Sequence, residues 1–100
     1  MNCTGISIIS KVNCPFCIKA KEFFSTYNLP YTEINLDPTD KNYIPKRNFS
    51  FNKWNHYSFP IIYIDNVKIG GYNDLIRSYE TNKLHFLLLD KCDFQLEYDF

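Results

Sequence analysis

The chain opens its readable pattern with a short, β-branched apolar run, Ile6-Ser7-Ile8-Ile9-Ser10, which predicts a buried strand. Lys11-Val12-Asn13 reads as a connecting turn. A helix is expected to begin at Cys14, with Pro15 at the first helical position, where a missing N–H costs nothing. From there Cys17, Ala20, Phe24 and Tyr27 recur at helical spacing with Phe23 beside them, while Lys19, Lys21, Glu22 and Ser25 take the other face. Asn28-Leu29-Pro30 ends that helix. Tyr31–Leu36 alternates and is rich in strand formers, so it predicts a second strand, followed by a turn at Asp37-Pro38-Thr39-Asp40. Between Lys41 and Tyr57 the pattern weakens. Pro45 and the asparagines 42, 48, 52 and 55 predict a short or broken helix with an irregular loop.

Periodicity returns at Ile61–Ile64, a strand that turns at Asp65-Asn66 into its hairpin partner Val67-Lys68-Ile69. Gly70-Gly71 leads into a helix from Tyr72 to Glu80, with Leu75, Ile76 and Tyr79 on one side. Asn82 suits the left-handed conformation at a helix end, and Lys83–Leu89 gives a last short helix. The tail 90–100 mixes acidic and aromatic residues and predicts no definite structure. The order is β, α, β, weak α, β-hairpin, α. Two βα units followed by a hairpin imply an α/β fold with a mixed sheet covered by helices.

Bulk properties narrow the class. At 100 residues one domain over 1–100 is expected, and 45% hydrophobic with 18% aromatic residues suffices for a modest core. Eleven basic and 11 acidic side chains leave no net charge, which argues against nucleic acid as a partner. No apolar stretch approaches a membrane span, and Met1–Gly5 lacks a positive n-region. The expected setting is a reducing cytoplasm, where four cysteines are more consistent with catalysis or metal binding than with structural disulfides.

Attention therefore falls on Cys14-Pro15-Phe16-Cys17. Cys14 would stand at a helix N-cap, where backbone N–H groups of the first turn and the positive end of the helix dipole favour thiolate over thiol. Lys11 can add positive charge. Cys17 lies one turn later, closer to the core, so Cys14 should attack and Cys17 should resolve. Two other readings stand beside this one. The spacing can arise by chance, or it can be half of a zinc or iron–sulfur site completed by Cys3 and Cys92. The absence of a second CxxC knuckle and the presence of Pro15 favour the redox pair. His56 and His85 lack partner spacing for a metal and read as ordinary surface or edge residues.

Three segments, in order, resemble the glutaredoxin family in its dithiol class: Ser10–Cys17, with Phe16 where relatives usually carry Tyr; Ser58-Phe59-Pro60, in place of a Thr-Val-Pro type segment; and Gly70-Gly71-Tyr72-Asn73-Asp74-Leu75. The resemblance implies a thioredoxin fold, with a four-stranded mixed sheet flanked by helices on both faces. It also implies glutathione as co-substrate, with no bound cofactor and no metal. By position, Cys14 would be the nucleophile and Cys17 its partner. Lys11 would meet the glycyl carboxylate of glutathione. Phe59, before a Pro60 expected to be cis, would pair with the cysteinyl part, and Asn73 and Asp74 would receive the γ-glutamyl end. Phe16, Gly70 and Gly71 complete the expected glutathione site. Lys46, Arg47, Lys53 and Trp54 are further candidates for contact, with solvated surface as the plainer reading.

The function expected is a monomeric glutathione-dependent oxidoreductase acting on disulfide-containing or glutathionylated proteins, with ribonucleotide reductase as a candidate client. The alternatives are a thioredoxin-like electron donor, against which the lack of Trp-Cys-Gly-Pro-Cys speaks, and a metal- or cluster-binding module.

Overall fold

The computed structural model describes residues 5–92. Four strands and four helices follow one another as β1 (Ile6–Lys11), α1 (Pro15–Thr26), β2 (Tyr31–Leu36), α2 (Tyr43–Trp54), β3 (Ile61–Ile64), β4 (Val67–Gly70), α3 (Tyr72–Glu80) and α4 (Lys83–Cys92). The strands form one sheet in the order β2-β1-β3-β4. β1 pairs in parallel with β2, in register from Ile6 opposite Tyr31 to Lys11 opposite Leu36. It pairs antiparallel with β3, and β3 with β4. This is the mixed four-stranded sheet of the expected thioredoxin fold.

Burial follows from position in the sheet. β1 is central and covered on both faces, so Ile6 to Ser10 are all buried, as a continuous apolar run requires. β2 lies at an edge, and Thr32, Glu33, Ile34 and Asn35 are exposed. On one face Ile6, Ile8, Ile62 and Ile64 pack with Ala20 and Phe24 of α1, Leu75 of α3 and Leu84 and Leu88 of α4. On the other, a smaller cluster of Ile9, Leu36 and Ile61 is covered by Tyr43, Phe51 and Trp54 of α2.

The stretch around Pro45 corrects the sequence reading. In place of a short or broken helix, α2 runs unbroken for 12 residues. Pro45 is its third residue, where the N–H has no partner within the helix in any case. Asn55, at φ 50°, provides the left-handed cap, with its amide donating to the Phe51 carbonyl. The packing of Tyr43, Phe51 and Trp54 against the sheet offsets the weak propensity of the asparagines. α4 also extends three residues past the expected Leu89, to Cys92. Cys3, the side chain of Cys92 and segment 93–100 lie outside the described residues.

Candidate active site

β1 and α1 meet in a tight connection. Asn13 adopts φ 61°, which turns the chain out of the strand, and Cys14 follows in extended conformation as the α1 N-cap. Pro15 occupies the first helical turn as predicted. The Cys17 amide donates to the Cys14 sulfur at 3.3 Å, so a first-turn N–H points at that sulfur. The two cysteines form a disulfide with Cα atoms 5.2 Å apart. Cys14 is 7% exposed and Cys17 1%. Cys17 is the more buried of the two, as expected, though the opening at Cys14 is narrower than a strand end emerging into solvent would suggest.

Two loops come together with Phe16 of this segment. The Phe59–Pro60 peptide bond is cis, and Pro60 is buried where the chain enters β3. Across from it, β4 ends at Gly70 with φ 122°, a conformation open to glycine, and a Cβ there would collide with the Asp74 carboxylate. Asp74 Oδ2 accepts from the Gly71 amide at 2.9 Å and so caps α3. A groove of about 220 Å³ lies between these loops, walled by Phe16, His56, Ser58, Phe59, Pro60, Gly71, Tyr72, Asn73 and Asp74.

Six of the expected site residues thus share one groove: Phe16, Phe59, Pro60, Gly71, Asn73 and Asp74. Lys11, the last residue of β1, reaches it through Phe59, with Nζ 5.8 Å from the ring centroid. Gly70 stands behind it, against Asp74. Phe59 is also 5.2 Å from the Phe51 ring, so its extra bulk over a valine is anchored on α2. Lys46, Lys53 and Trp54 are not in this groove. They line a separate cavity of about 430 Å³ beneath α2, with Ile9, Ile34, Leu36, Phe49 and Tyr63. Arg47 rests over Tyr43 and Phe51.

Three groove residues, His56, Ser58 and Tyr72, were not among the expected contacts. Tyr72 stands 6.1 Å from Phe16, and the Lys19 ammonium lies 5.2 Å from the Phe16 ring and 6.0 Å from that of Tyr72. This places an aromatic pair and a cation at the mouth. His56, read as ordinary surface, is half-buried in the wall beside Gly71. Burial holds its pKa below the usual imidazole value, Lys68 adds to that, and Asp74 opposes it. Its distance of four residues from Pro60 was the one available sign. Among the described residues no group of three or more His, Cys, Asp or Glu side chains is placed to hold a metal ion.

A family model described as Glutaredoxin matches residues 6–69. The chain belongs to the glutaredoxin family. It is 31% identical to glutaredoxin 1 of Rickettsia bellii (strain RML369-C) over 84 residues, which cover 84% of this chain and 86% of that one. Among solved structures it is similar to a dithiolic glutaredoxin from Trypanosoma brucei brucei, with 25% identity, a TM-score of 0.72, and 84% of this chain and 86% of that one covered. It also matches a buckwheat glutaredoxin–glutathione complex with a TM-score of 0.76 and 20% identity, over 86% of this chain and 77% of that one, a likeness of fold. As a glutaredoxin with a Cys14–Cys17 disulfide, the protein is a glutathione-dependent thiol–disulfide oxidoreductase.

Proposed function

We propose that Cys14 carries the exchange chemistry, that Cys17 resolves it, and that the groove between the Phe59–Pro60 and Gly70–Asp74 loops holds glutathione. The observation that carries this reading is the Cys14 sulfur at the α1 N-cap, accepting from the Cys17 amide and bonded to the less exposed Cys17. A sulfur so placed is stabilised as thiolate by the helix N-terminus. In the monothiol route the Cys14 thiolate attacks the glutathione sulfur of a mixed disulfide, and the client thiolate leaves and takes up a proton. A second glutathione thiolate then attacks the glutathione sulfur on Cys14, which releases oxidised glutathione and restores the Cys14 thiolate. In the dithiol route Cys14 attacks a client disulfide and the Cys17 thiolate displaces the client. The Cys14–Cys17 disulfide that remains is reduced by two molecules of glutathione.

Lys11 supplies positive charge for the glycyl carboxylate, Phe59 backbone groups pair with the cysteinyl part, and Asn73 and Asp74 receive the γ-glutamyl end. Gly70 lets the chain pass beside Asp74, and Phe16 with Tyr72 forms the mouth. Glutathione acts as a co-substrate, with no resident cofactor. The clients are disulfide-containing or glutathionylated proteins, with ribonucleotide reductase a candidate, and the protein works as a cytoplasmic monomer.

The test is turnover of a small glutathione mixed disulfide with glutathione and glutathione reductase. Cys14→Ser should lose at least about a thousandfold in kcat/KM, because the attacking thiolate is gone. Cys17→Ser should keep substantial activity, since the monothiol route needs one cysteine. A wild type inactive with glutathione but active with a thioredoxin reductase would overturn the reading.

A further inference from the structure

We propose that His56 is a specificity-determining residue of the groove, donating a hydrogen bond to the α-carboxylate at the γ-glutamyl end of glutathione. The inference rests on the reading of the groove as a glutathione site.

The fold delivers His56 to the groove by a local device. Asn55 in the left-handed conformation ends α2, and the His56 amide donates to the Phe51 carbonyl at 3.1 Å, so the chain reverses and brings the imidazole to the groove wall. The ring edge faces the start of α3. Nε2 lies 3.6 Å and Cε1 3.8 Å from where a Cβ on Gly71 would sit. The amide of that glycine is held by Asp74 Oδ2. The imidazole and the carboxylate of Asp74 therefore flank one glycine.

The γ-glutamyl end of glutathione is a zwitterion. Its ammonium complements Asp74, but its carboxylate would then lie near a like charge and needs donors of its own. The first turn of α3 offers backbone amides. His56 offers a side-chain donor beside Gly71. In the free protein Nε2 has the Ser58 hydroxyl at 3.4 Å, a long contact that a ligand carboxylate can replace. Burial and Lys68 from β4 hold the His56 pKa below the ordinary imidazole value against the opposing carboxylate of Asp74 from α3, which favours the neutral ring. A neutral imidazole keeps one donor and one acceptor and does not compete with the ammonium for Asp74.

The experiment compares two small mixed disulfides, one made with glutathione and one with cysteinylglycine, which lacks the γ-glutamyl group. Wild type should prefer the glutathione disulfide. His56→Ala should lower kcat/KM for that substrate about tenfold, the scale of one hydrogen bond to a charged group, through KM and with kcat kept. For the cysteinylglycine disulfide the change should stay within about twofold. His56→Gln, which keeps a donor near the Nε2 position, should hold most of the preference. An equal loss on both substrates would mark a structural role and overturn the inference, as would a preference untouched in both variants. A wild type indifferent to the γ-glutamyl group would instead overturn the glutathione reading of the groove.

Discussion

Two of the concavities among the described residues stand on opposite terms with the chemistry. The larger, about 430 Å³, lies beneath α2 and is walled mostly by aliphatic and aromatic side chains. The smaller, about 220 Å³, runs past the cis Phe59–Pro60 bond to the start of α3 and gathers His56, Ser58, Asn73 and Asp74. Volume alone would choose the first. Convergent polar groups at a helix start, on loops that flank the Cys14–Cys17 helix, favour the second, the groove proposed to hold glutathione. The larger space reflects packing: the α2 face buries only Ile9, Leu36 and Ile61 in its cluster, whereas ten buried residues knit α1, α3 and α4 to the other face.

If that contrast is right, the two concavities should separate stability from activity. Trp54 stacks on Tyr63 at 4.2 Å between centroids and walls the larger cavity. Trp54→Ala should cost about 3 kcal/mol in urea unfolding. Turnover of the folded protein should remain within about twofold, because Trp54 does not line the groove. A large loss of kcat/KM in folded protein would break the comparison.

Gly70→Ala tests the smaller concavity. It forces a Cβ against the Asp74 carboxylate at a φ of 122°, so a stability loss of about 2 kcal/mol is expected. Here KM for the glutathione disulfide should rise as well, since Asp74 must move. A milder probe is Phe16→Ala, which removes the ring paired with Tyr72 at the mouth. A rise of about threefold in KM with unfolding midpoint unchanged is expected, the scale of one exposed aromatic contact.

The smallest effect concerns the edge strand bordering the larger cavity. Glu33 is held below the ordinary carboxylate pKa, first by the Ser10 hydroxyl, then by Lys21, with Asn35 contributing, against the cost of burial. Its folded pKa is lower than its unfolded one. The contribution to stability is therefore present above the ordinary glutamate value and is lost as pH falls through the folded value. Glu33→Gln should cost about 0.5 kcal/mol at pH 7, and the gap to wild type should close as unfolding is followed into acid below the ordinary glutamate range. A gap that widens in acid would reverse the sign.

Much of this was legible in the sequence where the cause is local. β1 showed as a run of β-branched residues, and Pro15 and the alternation of faces in α1 announced a helix whose N-cap is Cys14. Asp65-Asn66 and Asn82 marked a hairpin turn and a helix break, and both Asp65 and Asn82 adopt positive φ. Each of these follows from the residues within one turn. α2 was not legible, because its stability comes from Tyr43, Phe51 and Trp54 meeting a sheet face built by other segments, and because the weight given to Pro45 depended on where the helix started.

The groove divides in the same way. Cysteine spacing, a proline before a strand and a glycine pair before a helix determine the kinds of groups a redox site would use. That Phe16, His56, Tyr72 and Asp74 face one space is decided by the tertiary structure alone. The β1–α1 junction, the loop into β3 and the β4–α3 junction become neighbours only through the pairing of β1 with β3 and β3 with β4. Apart from its nearness to Pro60, no pattern within the segment around His56 encodes that adjacency, because Gly71, Tyr72 and Asp74 across the groove belong to a loop and helix positioned by other strands.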